Sequence, residues 1–273
     1  MAFSFVQVTD HHLTAGDSVL TRGFSTNYAF RTVLRHIAEH AVEIAPAFIV
    51  STGDLGEKDP PGAYRAAVQM LHARVEEVRA PGPITVSLDG SAELPMYFLP
   101  GNHDDLATMF RILFPGGDGS TPPFAAPDRM DRCFEHGGVR FVCVDWGRAD
   151  KAHSAPATFD FLSAALEDGA PAVILTHHQV APTGAAWLDR FIADDVARFW
   201  EALRGKNVLG VLSGHVHMTT ETTVDGIPVT TLRGTGFQFA RQARPLLTLE
   251  PPHYRVVTID GGVLTRKVVE VAL

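Results

Sequence analysis

Residues 3–12 read FSFVQVTDHH, and this stretch sets a pattern that the rest of the chain repeats. An apolar run suited to a buried β-strand ends in a carboxylate and two imidazoles, side chains that bind metal ions. Four later runs end similarly, in TGD at 52–54, GNHD at 101–104, THH at 176–178 and GHVH at 214–217. Because ligands bind at the carboxyl ends of strands in open α/β sheets, we expect these clusters to meet in space.

The runs between these clusters predict an α/β fold, because strand-length apolar stretches alternate with segments of helical periodicity. The predicted strands are 3–8, 47–51, 96–99, 139–144, 172–176 and 208–213, and the predicted helices are 26–44, 62–79, 104–114, 158–166 and 188–203. After Met218 the sequence alternates in the manner of β-strands over 219–224, 227–232, 254–259 and 263–271. This pattern predicts antiparallel strands that close a second sheet.

Composition narrows the class of protein. The chain has 273 residues, of which 45% are hydrophobic, so we expect one folded domain over 1–273 with lid loops near 115–127 and 179–190. A formal charge of −8 without a basic stripe argues against a nucleic-acid polymer as partner. No apolar run approaches the ~20 residues of a membrane span, and the N-terminus has no basic leader, so we expect a cytoplasmic protein without a membrane partner. Exposed C-terminal strands favour a homodimer.

The chemical type of the clusters indicates which ions they would hold. Carboxylates, imidazoles and one amide, with no thiolate, suit manganese, iron, cobalt or zinc better than copper or calcium. Any one His or Asp at a strand end is better explained as a turn former, but five such clusters are not. The set is large enough for two divalent or mixed-valence transition-metal ions, and Asp54 is the best candidate for a carboxylate that bridges both.

The motifs Asp10-His11-His12, Gly53-Asp54, Gly101-Asn102-His103-Asp104, His177 and Gly214-His215-Val216-His217 resemble those of the calcineurin-like metallophosphoesterases. The stretch HHQVAPTGAAWLD (177–189) and GFQFA (236–240) look more narrowly like the class III cyclic-nucleotide and glycerophosphodiester phosphodiesterase branch. The resemblance implies a four-layer α/β/β/α sandwich of two mixed sheets. It also implies hydrolysis of small phosphate esters by a hydroxide that bridges two metal ions, with phosphodiesters favoured.

Residue by residue, the resemblance implies two overlapping ligand sets and two catalytic residues. One metal would be held by Asp10, His12, Asp54 and His217, and the other by Asp54, Asn102, His177 and His215. His103 would lie near the substrate phosphate, where it would assist charge neutralisation or leaving-group protonation. Asp104 would orient His103.

Several points stay open at this level. Gln179 stands where the branch usually has Pro, and its side chain could donate hydrogen bonds into the cleft. Trp187 and Phe237 are either loop anchors or aromatic rings that stack on a base or cover the cleft. Arg22 could reach the phosphate or ribose, but it is better explained as a solvated loop residue. The alternatives for function are a phosphomonoesterase acting on nucleotides or small metabolites, and a non-catalytic scaffold of the same fold.

Overall fold

The structure is a computed structural model that describes residues 2–57, 59–75, 82–88, 93–115 and 129–273. Within these ranges, no helix has both the length and the apolar character needed to cross a membrane. The lid predicted at 115–127 lies outside the described residues, except for Pro115.

The helices of the described ranges are short, and the longer ones bury one apolar face. In the first helix Phe30, Val33, Leu34 and Ile37 recur at three- and four-residue spacing, and all four are buried. The bounds are α1 Thr26–Glu39, α2 Ala41–Ile44, α3 Pro60–Met70, α4 Leu106–Leu113, α5 Pro156–Ala165, α6 Ala186–Asp189 and α7 Val196–Leu203. The single helix predicted over 188–203 is two helices, because residues 191–192 donate to carbonyls three residues back and form turns instead.

The described residues form two six-stranded mixed sheets at the centre of the fold. The first contains β1 Phe3–Val8, β2 Pro46–Ser51, β3 Ile84–Ser87, β4 Glu93–Phe98, β13 His253–Asp260 and β14 Val263–Glu270. The second contains β5 Arg132–His136, β6 Val139–Val144, β7 Ala172–Thr176, β8 Val208–Ser213, β9 Thr220–Val224 and β10 Ile227–Thr231. A two-stranded ribbon of β11 Gln238–Phe239 and β12 Leu247–Thr248 lies apart from both.

The strand order places the functional clusters at one edge of each sheet. The first sheet has the order β14-β13-β1-β2-β4-β3, in which β1, β2 and β4 are parallel. The second has the order β5-β6-β7-β8-β10-β9, in which β6, β7, β8 and β10 are parallel. Because parallel strands end at the same edge, the clusters after β1, β2 and β4 are neighbours, and so are those after β7 and β8.

Three apolar layers join these elements into a four-layer α/β/β/α sandwich, which confirms the predicted fold class. One layer packs α1, α3 and α4 against the outer face of the first sheet, and another packs α5 and α7 against the outer face of the second. The middle layer joins the two sheets, with Phe5 and Phe48 of the first sheet against Phe141 of the second. Burial of this middle layer holds the two functional edges side by side.

The C-terminal strands depart from the sequence-based prediction. Instead of closing a second sheet together, β13 and β14 extend the first sheet, with β13 antiparallel to β1 and β14 antiparallel to β13, while β9 and β10 extend the second. The sequence also did not predict β3 and β5, which pair antiparallel at sheet edges. Local alternation indicates that a segment is a strand, but the choice of partner depends on contacts distant in the chain.

Candidate metal centre and active site

The loops that follow β1 and β2 run side by side and are joined through their main chains. Asp10 N donates to Gly53 O at 3.0 Å, and His12 N donates to Asp54 O at 2.9 Å. Leu13 N donates to Leu55 O, also at 2.9 Å. These bonds continue the parallel pairing past the strand ends, so the spacing between Asp10, His12 and Asp54 is fixed by main-chain geometry.

The main chain adopts uncommon conformations at most of the predicted ligands. Positive φ angles between 47° and 68° occur at Asp10, His12, Asp54, His215 and His217. Non-glycine residues seldom occupy this region, and such strain clusters at functional sites. The adjacent glycines allow close approach, because a Cβ on Gly101 would overlap the Asp54 carboxylate and a Cβ on Gly214 would overlap Thr9.

The first group of converging side chains contains Asp10, His12 and His217. His217 Nε2 lies 3.3 Å from Asp10 Oδ1 and 3.0 Å from His12 Nε2. His217 Nδ1 donates to Phe237 O at 2.6 Å, and His12 Nδ1 donates to Glu57 Oε2 at 2.7 Å. The second ring nitrogen of each histidine is therefore committed, and both Nε2 atoms point at the same place.

The second group contains Asp54, His177 and His215, with Asn102 between the two histidines. Asn102 Oδ1 lies 3.0 Å from His177 Nε2 and 2.9 Å from His215 Nδ1. Asp54 Oδ2 lies 3.3 Å from His177 Nε2 and 3.5 Å from His12 Nε2 of the first group. Asp54 therefore lies between the two groups, as the sequence-based hypothesis of a bridging carboxylate requires.

The polarity of these contacts fits bound cations. Because His177 Nδ1 donates to Thr52 O, its Nε2 presents a lone pair to the oxygens of Asn102 and Asp54 when the ring is neutral. The Nε2 atoms of His12 and His217 likewise present lone pairs to each other. Lone pairs that face each other repel unless a cation or a proton lies between them. The residues present therefore suit divalent metals, whose ligands must be deprotonated.

The ionisation of the two aspartates reflects the same concentration of charge. Burial raises the pKa of Asp10 to about 6, with the nearby Asp54 adding to the shift. Burial alone would also raise the pKa of Asp54, but the neighbouring His177, His12 and His103 outweigh it and hold that pKa well below its usual range. Burial lowers the pKa of His217 well below its ordinary value, which keeps this imidazole neutral.

The structure adds one residue that the sequence-based interpretation missed. Glu57 Oε2 accepts hydrogen bonds from His12 Nδ1 at 2.7 Å and from His103 Nδ1 at 2.9 Å. Burial would lower the pKa of His103, but the Glu57 hydrogen bond and the charge of Asp54 raise it to about 9. One carboxylate oxygen thus links a predicted metal ligand to a predicted catalytic residue. No motif spacing marked Glu57, since acidic residues in polar loops are common.

The orienting role predicted for Asp104 needs correction. Its carboxylate accepts from the main-chain N–H groups of Leu55, Gly56 and Gly101 and from the Tyr64 hydroxyl, at 2.8 to 3.2 Å. Among the described hydrogen bonds it has none with His103, whose ring is held by Glu57. Asp104 is buried, and it braces the loop after β2 against the loop after β4.

The expectation for Gln179 also needs correction. Gln179 is buried, and its Nε2 donates to Leu188 O at 2.8 Å instead of into the cleft. In the same segment, Asp189 Oδ1 accepts from both the main-chain N and the hydroxyl of Thr183 at 2.7 Å. These bonds fold residues 179–190 back on themselves beside the site.

A cavity of about 240 Å³ opens over the two groups. Asp54, Asn102, His103, His215 and other site residues form its floor. Its remaining lining is aromatic, with one cation and one acid, and consists of Trp187, Phe191, Phe237, Phe239, Arg22 and Asp150 together with Leu188 and Pro245. Asp150 Oδ1 accepts from Asn102 Nδ2 at 3.1 Å, which turns Asn102 Oδ1 toward the histidines.

Comparison with known proteins identifies the family. The model of the calcineurin-like phosphoesterase family matches residues 3–219. The chain belongs to this family. As a member it is a metal-dependent phosphoesterase, which confirms the resemblance seen in the motifs. The ligand clusters indicate divalent metals.

The chain is also similar to known relatives and solved structures. It is 24% identical over 97% of its length, and 92% of the relative's, to a 3′,5′-cyclic-nucleotide phosphodiesterase of Nostoc. It is 25% identical over 76% of its length, and 70% of the relative's, to the glycerophosphodiester phosphodiesterase GpdQ of Enterobacter lignolyticus. A dimetal phosphatase from Danio rerio has the same fold, with a TM-score of 0.58, 13% identity and 99% of each chain covered.

Proposed function

We propose that this phosphoesterase hydrolyses small phosphodiesters at a two-metal centre. Asp10, His12, Asp54 and His217 would hold one ion, and Asp54, Asn102, His177 and His215 the other. When bound, the ions would supply Lewis-acid polarisation of the phosphoryl group and would lower the pKa of water. Manganese, iron, zinc and cobalt suit this mixture of carboxylate, imidazole and amide ligands.

The observation that carries the proposal is the meeting of acceptor atoms from five loops. Asp54 Oδ2 lies 3.3 Å from one histidine of the second group and 3.5 Å from one of the first. Each histidine except His215 has its other ring nitrogen bonded to an oxygen of the protein, an arrangement that orients metal-binding imidazoles. A scaffold protein without catalysis would have no need of such oriented, lone-pair-facing side chains.

Three residues that line the cavity have different roles in the proposed reaction. His103 has Nδ1 bonded to Glu57, and its ring borders the cavity, so Nε2 can hold a proton toward an oxygen of the substrate. Asp54 Oδ1 accepts from His103 N at 2.9 Å, which fixes the start of that loop relative to the metal groups. Asp150 keeps the Asn102 oxygen directed at the second group.

The diester preference rests on the relatives and on the charge of the site. Both relatives described above are named as phosphodiesterases. Asp150 places a negative charge at the cavity, which disfavours the dianion of a monoester more than the monoanion of a diester. Among diesters, we propose cyclic nucleotides, because the Nostoc relative covers almost the whole chain.

The test compares bis-p-nitrophenyl phosphate with p-nitrophenyl phosphate in metal-free buffer and in added Mn²⁺. We expect metal-dependent hydrolysis with a higher kcat/KM for the diester, and hydrolysis of 3′,5′-cyclic AMP. Asp54→Asn should reduce kcat by at least about 10³-fold and lower the bound metal, whereas the exposed control Asp160→Asn should change neither. A large preference for the monoester would replace diesters by monoesters as the substrate class. Absence of hydrolysis with metal bound would favour the scaffold alternative.

Two further expectations belong to the proposal. We propose a homodimer through the C-terminal strands, since β14 is an edge strand of the first sheet. Light scattering on the purified protein measures its mass in solution and tests this. Metal analysis of protein purified without chelator identifies the ions, and a content of two per chain is expected.

A further inference from the structure

The cavity has two chemically different sides. Its floor is the proposed metal centre, and the adjoining wall consists of the rings of Trp187, Phe191, Phe237 and Phe239. We call these four rings the aromatic wall. A phosphodiester bound on the floor can extend a substituent along the wall, because floor and wall line the same cavity.

The aromatic wall is held rigidly against the site. Phe237 is buried, its ring stacks on His217 at 4.3 Å between centroids, and its carbonyl accepts from His217 Nδ1. Phe239 packs edge-to-face on Trp187 at 4.9 Å and on Phe237 at 5.7 Å. Phe237 therefore anchors the wall on the metal-site histidine, and the partly exposed rings of Trp187 and Phe239 present preformed π surfaces to a ligand.

Arg22 completes the wall with a cation. Its guanidinium carbon lies 5.3 Å from the Phe237 centroid and 5.9 Å from the Phe239 centroid. Thr21 and Phe24 exchange main-chain hydrogen bonds at 3.0 and 2.9 Å, so Arg22 stands at the tip of a closed turn, with a φ of 50°. Within the described residues Arg22 makes no hydrogen bond or ion pair, so its N–H donors are free for a ligand.

Two properties of this subsite point to the kind of substituent that it accepts. Aromatic faces and a guanidinium favour a planar group that can stack, and free N–H donors favour a group with hydrogen-bond acceptors. A nucleobase has both properties, whereas a glycerol substituent has acceptors but no face to stack. If Arg22 bound the phosphate itself, its replacement would weaken the binding of every diester equally. If it binds a base, its replacement weakens only the binding of ligands that carry a base.

We propose that Arg22 and the aromatic wall form a nucleobase subsite, which makes this enzyme selective for nucleotide diesters over glycerol-type diesters. The predicted selectivity in hydrolysis rests on the proposed phosphodiesterase function. The subsite itself, as a place that binds a base, can be tested without turnover.

The experiment uses pairs of ligands that differ only in the base. Hydrolysis is compared for 3′,5′-cyclic AMP and the base-free ribose 3′,5′-cyclic phosphate, and binding is compared by calorimetry for AMP and ribose 5-phosphate. The variants are Arg22→Ala, Trp187→Leu and the exposed control Arg241→Ala, which lies outside this cavity. Circular dichroism and metal content show that each variant is folded and loaded.

We expect Arg22→Ala and Trp187→Leu each to weaken AMP binding and to lower kcat/KM for cyclic AMP by about tenfold, mainly through KM. The base-free ligands should change by less than about twofold, and Arg241→Ala should change neither pair. Arg22→Lys should recover only part of the loss, because an ammonium keeps the charge without the planar face.

Equal losses on base-containing and base-free ligands would overturn the inference and assign Arg22 to the phosphate or to folding. Unchanged binding of AMP in both wall variants would also overturn it. Failure of the phosphodiesterase proposal looks different, since wild type would then hydrolyse neither cyclic substrate while the difference in binding between AMP and ribose 5-phosphate could persist.

Discussion

Replacement of Glu57 is the perturbation for which the structure makes the sharpest prediction. Its Oε2 accepts from His12 Nδ1 at 2.7 Å and from His103 Nδ1 at 2.9 Å. Glu57→Ala removes both bonds at once, so each imidazole loses the partner that fixes its tautomer and its angle. We therefore expect two separate defects, one in metal affinity and one in turnover.

The size of each defect follows from the kind of bond lost. Removing the partner of a metal-binding imidazole costs about 10- to 100-fold in metal affinity, and we expect this range through His12. A hydrogen bond to a charged group contributes about 1.5–3 kcal/mol. At saturating metal we therefore expect kcat to remain about 10- to 100-fold low, because His103 is no longer held toward the substrate. Glu57→Gln keeps one acceptor and should lie between wild type and Glu57→Ala.

The assay is a Mn²⁺ titration of diester hydrolysis, with metal binding followed separately by calorimetry. The exposed Glu201→Ala serves as the control for loss of a carboxylate. A double variant with His103→Ala separates the two defects. If Glu57 acts on turnover through His103, Glu57→Ala in that background should lower kcat by less than about threefold further, while metal affinity still falls.

Two results would refute the reasoning. Metal affinity of Glu57→Ala equal to that of Glu201→Ala would show that Glu57 does not support the His12 side of the centre. Fully additive losses in kcat for Glu57→Ala and His103→Ala would show that the two residues do not act as one unit.

Two further predictions concern charge and pH. Asp150→Asn keeps an acceptor for Asn102 but removes a negative charge beside the cavity. At low salt, kcat/KM should therefore rise about fourfold for a dianionic monoester and about twofold for a monoanionic diester. Equal increases for the two substrates would exclude a charge effect. His253 accepts from Arg233 N and the Thr219 hydroxyl, and burial lowers its pKa to about 3. Because the unfolded chain binds this proton near pH 6.5 and the folded chain does not, stability is lost as pH falls below about 6.5, by about 2 kcal/mol at pH 5. Urea unfolding of metal-free protein at pH 7.5 and 5 should show that loss reduced by a similar amount in His253→Gln, and an unchanged loss would contradict the assignment.

The sequence predicted the central strands well because their signal is local. The runs 3–8, 139–144, 172–176 and 208–213 agree with β1, β6, β7 and β8 to the residue. Each is a short, mostly apolar run, and all but 139–144 end in one of the polar clusters; a strand buried on both faces is apolar along most of its length. The short edge strands β3 and β5 carry no such run, and their pairing depends on neighbours elsewhere in the chain.

The candidate site divides in the same way. The motifs marked Asp54 and its companions by residue type and spacing, and the structure brings those side chains together, while the assignment of each to a metal remains a prediction. Glu57 carried no such mark, and the sequence favoured a solvated loop position for Arg22, because one acid or one arginine in a polar loop is ordinary. For Asp104 the motif was misleading. It follows His103 in the chain, which suggested a contact with that ring, but its carboxylate accepts from the main-chain amides of Leu55, Gly56 and Gly101.

By itself the sequence determined the fold class, the family and the chemical type of the ligand set, because each of these depends on residue identity and on order along the chain. Only the tertiary structure decided that Glu57 joins His12 to His103, that Gln179 turns away from the cleft, and that Arg22 stands over the aromatic wall. The physical reason is that hydrogen bonds and ring contacts depend on distances of a few ångströms between side chains. Those distances are set by the packing of the two sheets and by the conformations of the loops, and they cannot be derived from the residues that are neighbours along the chain.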